Sequence, residues 1–159
     1  MPTFDTPEPI TVTIDLAVAN IRIDASDRTD TVVEVRPSDP GSDRDVRAAE
    51  QTRVEYADGR LTVRGPRMRP IFSSRTGAVD LAVELPTGSP VHGEATVADV
   101  QAAGRLGECL LKVHSGRFTL GEVGPARLYS GNGRIIADEV TGDAMVTARG
   151  GCGHINAVE

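Results

Sequence analysis

The chain has 159 residues, 39% of them hydrophobic, which is enough for one domain with a buried core and too many for a disordered chain. A formal charge of -6 makes the overall surface a poor partner for nucleic acid or an anionic membrane, and no apolar run is long enough to span a bilayer. Aromatics are only 3% (Phe4, Tyr56, Phe72, Phe118 and Tyr129, with no Trp), so Val, Ile, Leu and Ala must fill a narrow interior.

The first elements alternate with period two, the pattern of half-buried strands. Ile10, Val12, Ile14 and Leu16 form one apolar row, Ile21, Ile23 and Ala25 a second, and "TVVEVR" at 31–36 a third that stops at Pro37. The N-terminus has neither a basic start nor an apolar stretch, unlike a secretory signal. A short helix is predicted over about 42–52, with Ser42 as its N-cap and Asp43 and Asp45 at the positive end of its dipole. "VEYADGRLTV" predicts a hairpin turning at Asp58-Gly59.

The loop at 64–77 carries Arg64, Arg67, Arg69 and Arg75 around Phe72 and has no acidic residue. It is a candidate interaction loop for an acidic partner; mobile surface explains it equally well. Val79, Leu81, Val83 and Leu85 mark the next strand.

A repeat follows. "GEATVADV", "GRFTLGEV", "GRIIADEV" and "GHINAVE" align on Gly93, Gly116, Gly133 and Gly153, spaced by 23, 17 and 20 residues. "CLLKV", "ARLYS" and "AMVTA" repeat between them. The pattern predicts a β-solenoid, in which strands pair with their copies in adjacent coils and the glycines occupy the corners. A sandwich of hairpins is the lesser alternative. Four inward columns are expected: Phe118 with Ile135 and Ile155; Leu120 with Ala137 and Ala157; Leu111 with Leu128 and Val146; and Val100 with Val123 and Val140. The expected whole is an all-β, single-stranded β-solenoid over 91–159 with Gly-rich corners. A strand-rich cap over 1–90, containing the one short helix, precedes it.

The block "FDTPEPITVTIDLAVANIRIDASDRTDTVVEVRPSD", then "AAEQTRVEYADGRL", "ELPTGS", "GEATVADV" and "GRLGEC", resembles a bacterial β-helix family of unknown function, the "putative adhesin" or head-domain family, in its branch from high-GC bacteria. "SGNGRIIADEVTGDAMVTA" is similar to that family's recurrent coil. The resemblance spans essentially the whole chain and implies a β-helix. It brings no catalytic residues. Members usually continue for several more coils, so the resemblance implies a truncated member. An open coil end that pairs with another copy is the other reading of the same feature.

No residue set carries a strong chemical signature. Asp99, Glu122 and Glu139 are expected in one column, as a cation-binding ladder or, more simply, a solvated edge. Glu94, Arg117, Arg134 and His154 are expected as an outward column of ordinary mixed charge. His92, His114 and His154 fall near corners and share no column. Cys109 is expected inside as a small hydrophobe, and Cys152 in an exposed bend. The Gly-rich "SGNG" and "RGGCG" precede no Lys-Ser/Thr pair and are not phosphate loops. The leading expectation is a cytoplasmic, non-enzymatic scaffold or protein-interaction module, without cofactor or metal, that associates with a protein partner or with itself through an open coil end. The alternative is a carbohydrate-binding or polysaccharide-cleaving β-helix.

Overall fold

The computed structural model describes residues 3–65, 77–131, 133–140, 144–148 and 153–158. Among the described residues the chain is all-β with one short helix. After β1 (Thr3–Asp5), the two expected N-terminal strands are one: β2 (Thr11–Ser26) is continuous. It buries Val12, Ile14 and Leu16, then Ala17, Ala19, Ile21 and Ile23. The consecutive burial of Leu16 and Ala17 shifts the in/out alternation by one and marks a bend. β3 (Asp30–Pro37) follows and pairs antiparallel with β1.

The helix α1 spans Asp43–Gln51. Ser42 occupies the N-cap position but makes no side-chain cap bond. Asp45 works harder: its carboxylate accepts from the backbone N–H of Asp39 at 3.0 Å and of Ala78 at 2.8 Å, fastening the first helical turn to the strand beside it. The predicted hairpin is present as β4 (Arg53–Ala57) and β5 (Arg60–Arg64). Asp58 and Gly59 both take positive φ, 51° and 75°, the combination a tight two-residue turn requires.

β6 (Ala78–Pro86), β7 (Val91–Arg105), β8 (Cys109–Val123), β9 (Ala126–Ser130), β10 (Ile135–Val140), β11 (Ala144–Ala148) and β12 (Gly153–Val158) complete the chain. The long strands β2, β7 and β8 each serve two ladders. Their first halves lie in the order β4-β5-β2-β7-β8-β9-β11, and their second halves in the order β1-β3-β6-β2-β7-β8-β10-β12. Every pairing from β5 or β6 onward is parallel, and the pairs beyond them are antiparallel. Equivalent positions Val91, Cys109, Ala126 and Ala144 are 18, 17 and 18 residues apart. The expected division at residue 90 does not coincide with a change of pairing, because β2, β5 and β6 already lie in the parallel stack.

The core lies between the two ladders. Ile14, Leu111 and Val113 from first halves and Ile21, Ile23 and Val100 from second halves line a common void of about 10 Å³, at the lower limit of what one water needs. The interior is filled by thin aliphatic columns. Val100, Phe118 and Ile135 form one, and Leu111, Leu128 and Val146 share another register position as expected. Full burial of Phe118, at 1% exposure, contributes about 1.5–3 kcal/mol of transfer free energy.

Three expected columns change. Ile155 pairs with Ala137 rather than Ile135, and Ala157 with Glu139, so β12 is displaced by two residues. Val100 belongs with Phe118, while Val123 and Val140 pair as expected. The glycines are also not one set. Gly116 and Gly133 are equivalent, with φ 151° and 142°. A Cβ on Gly116 would lie 1.7 Å from the Ala98 carbonyl oxygen, and one on Gly133 1.8 Å from that of Gly116. Backbone stacks on backbone here, which only glycine permits. Gly93 instead lies within β7 between Ile14 and Leu111, and Gly153 pairs with Ile135.

Candidate functional site

Each ladder turns one face inward and the other to solvent, and the two outer faces are built differently. On the second-half face the charged groups are largely engaged. Arg28 bonds Asp30 at 2.7 Å and Glu84 at 3.0 Å, joining the start of β3 to β6. Asp80 accepts from the amide of Asn20 at 3.0 Å and from the Ser38 hydroxyl at 2.8 Å. Arg22 faces Asp24 at 3.7 Å, and Arg36 pairs with Glu34. The Arg28 hydrogen bond holds the Asp30 carboxyl below its ordinary value. A shallow space of about 370 Å³ over this face is thus lined by groups such as Asn20, Arg22, Glu34, Arg36 and Asp80 that already have partners.

On the first-half face, the parallel register places Asp15, Glu94, Lys112 and Tyr129 in one row across β2, β7, β8 and β9. With Thr96 and His114 from the adjoining bend, they line a space of about 490 Å³. Glu94, Lys112 and His114 are exposed, and Asp15, Thr96 and Tyr129 half-buried. The Lys112 ammonium stands 6.0 Å from the centre of the Tyr129 ring. Below this row His92 Nε2 lies 3.3 Å from Glu108 Oε1.

The sequence-predicted sites fare unevenly. Asp99, Glu122 and Glu139 do not form a ladder. Glu122 and Glu139 are in register, but Asp99 pairs with Arg117, accepting its backbone N–H at 3.3 Å, and Glu122 faces Arg105 at 3.6 Å. Among the described residues no group of three or more His, Cys, Asp or Glu is arranged to hold a metal. The expected outward column of Glu94, Arg117, Arg134 and His154 is dispersed. Glu94 pairs with Lys112, Arg117 with Asp99 and His154 with Ile136.

Of the arginine loop, Arg64 ends β5 beside Asp15, and Gly65 donates to the Asp15 carbonyl at 2.9 Å. Arg67, Arg69, Phe72 and Arg75 lie outside the described residues, as does Cys152. Cys109 is fully buried, as expected. Burial, and then the neighbouring Glu108, push its thiol up to about 12, so it is no nucleophile. No described helix is long and apolar enough to cross a membrane.

Sequence reasoning missed the row of Asp15, Glu94, Lys112 and Tyr129. These residues are scattered over more than 110 positions and share no motif. Only the strand register assembles them.

No family model and no curated protein matches the chain. Among solved structures, a "putative cell adhesion protein" from Clostridium sporogenes has the same fold: TM-score 0.63 at 10% identity, over 99% of this chain and 98% of that one. Two further structures align at TM-scores too low to bear on this chain. One is a "putative adhesin" from Bacteroides fragilis, at 0.31 and 12% identity over 99% of this chain and 95% of that one. The other is a "Putative lipid binding protein" from Parabacteroides distasonis, at 0.29 and 11% identity over 99% and 96%.

Proposed function

We propose that the chain is a single-stranded β-solenoid serving as a non-enzymatic scaffold or protein-interaction module, of the adhesin-type family that its sequence resembles. The observation that carries this reading is the in-register parallel stacking at intervals of 17 to 18 residues. Such stacking produces flat outer faces and a strand edge at the end of the stack. Strands β1, β3 and β4 with α1 are its cap, and β2, β5, β6 and the later strands its coils. The likeness to the clostridial "putative cell adhesion protein" supports an interaction role.

Among the described residues β11 pairs only with β9, and β12 only with β10. Their outer edges offer backbone donors and acceptors to a further strand. A second copy of the chain is the partner we assign to that edge, with the arginine loop at 64–75 as an accessory contact for acidic groups. Cytoplasmic residence belongs to the same proposal and is supported by the buried, unbridged Cys109.

Light scattering over a hundredfold range of protein concentration tests the self-association. A mass that rises with concentration is expected, and a constant monomer mass removes this part. Release of reducing ends from any polysaccharide by the pure protein would overturn the non-enzymatic reading.

A further inference from the structure

The two outer faces pose a question of hydrogen bonding. On the second-half face most of the charged groups bond one another. The row on the first-half face is different. Among the described residues Asp15, Glu94, Thr96 and His114 make no side-chain hydrogen bond or ion pair, and Lys112 and Tyr129 have only their mutual ring contact at 6.0 Å. All six nevertheless line one space of about 490 Å³, within the size range of small-molecule sites. The acceptors Asp15 and Glu94 come first, then the flexible donor Lys112 and the Tyr129 ring, with Arg64 in register beside Asp15.

We propose that this cleft binds a neutral oligosaccharide of about three sugar units laid across β2, β7, β8 and β9. Four strands at about 4.8 Å spacing make the row about 14 Å long. A pyranose unit of an extended glycan is close to one strand spacing in length, so successive sugars meet successive side chains. Sugar hydroxyls donate to the Asp15 and Glu94 carboxylates and accept from Lys112. They replace the water on these groups bond for bond, so little is lost on desolvation. The apolar face of the terminal ring rests on Tyr129 once the exposed Lys112 side chain swings aside.

Other occupants fit less well. Phosphate or nucleic acid would meet the two carboxylates that lie between Arg64 and Lys112. A metal ion would meet Lys112 beside those carboxylates. A pairing peptide strand needs a backbone edge, whereas this row runs across strands whose backbones are paired on both sides. The cleft is also separate from the β11 and β12 edges, so this proposal stands or falls independently of self-association.

The test is a titration of the isotope-labelled protein, followed by amide chemical shifts, with chitotriose, cellotriose, maltotriose and xylotriose. At least one trisaccharide is expected to give saturable shifts confined to Thr96, Lys112, Tyr129 and their neighbours. Asp15→Asn combined with Glu94→Gln keeps the shape of both side chains and is expected to weaken binding about tenfold or more, a loss of about 1.4 kcal/mol. Tyr129→Ala is expected to do the same, and Asp99→Asn on the other face to change nothing. The proposal is overturned if none of the four sugars gives saturable shifts at about 10 mM, or if the Asp15→Asn/Glu94→Gln protein binds as well as the parent. Shifts at the cleft that follow protein concentration and ignore the sugar would also overturn it, showing a protein-binding face instead.

Discussion

In the hairpin of β4 and β5, Ala57 meets Arg60 across a turn; in the parallel stack, Val91 meets Cys109 on one side and Val12 on the other. The first contact is written in adjacent residues, and the second joins chain segments up to 79 positions apart. The hairpin is therefore organised by local chemistry, the positive φ of Asp58 and Gly59. The stack is organised by mutual fit, where the backbone of one layer is the surface on which the next must lie. Errors at the hairpin turn should stay local, and errors in the stack should propagate through every layer above and below.

The largest test of that contrast sets one glycine against another. Gly116→Val places a side chain on top of the Ala98 carbonyl and is expected to abolish cooperative folding or cost at least about 4 kcal/mol. Gly59 also has positive φ, but an added Cβ there meets nothing within 4 Å, so Gly59→Ala is expected to cost only about 1–2 kcal/mol of backbone strain. Urea denaturation of both variants decides the matter. Equal losses would mean that the layers do not press on one another at Gly116.

A second comparison uses aromatic truncation. Phe118→Ala empties a fully buried position and should cost about 3–5 kcal/mol. Phe4 is half-buried on β1 and stacks on Tyr56 with ring centres 5.2 Å apart, so Phe4→Ala should cost roughly 1 kcal/mol. The same denaturation experiment ranks them, and a reversed order would move the core out of the stack.

The smallest effect belongs to the surface pairs that tie the start of β3 to β6. Arg28→Gln should lower the melting temperature by less than Gly59→Ala does, because the guanidinium and its carboxylate partners are partly solvated. Its signature is pH dependence. Asp30 is held below its ordinary 3.8 when folded, chiefly by the Arg28 hydrogen bond. That stabilisation is complete above pH 3.8 and lost as pH falls through the lower folded value. Melting temperatures measured down to about pH 2 should therefore fall less steeply in Arg28→Gln than in the parent. Parallel curves would show that the pair contributes nothing to the attachment.

The amino-acid pattern by itself determined where most strand segments lie, though not that β2 and β8 run unbroken, together with the helix near Ser42, the turn at Asp58-Gly59, the aliphatic interior with Cys109 inside, and the shared register of Leu111, Leu128 and Val146. Each rests on side-chain alternation or local backbone chemistry, which neighbouring residues specify. The tertiary structure decided which copies lie on which. It moved Ile155 two residues along, took Gly93 out of the corner set, brought β2, β5 and β6 into the stack and gathered Asp15, Glu94, Lys112 and Tyr129 into one row. The reason is the period of a β-strand. A slip of one residue turns every apolar side chain outward and is visible in the pattern, but a slip of two leaves inside and outside unchanged. Only the packing of whole layers, with glycine backbone on glycine backbone at 116 and 133, separates such registers.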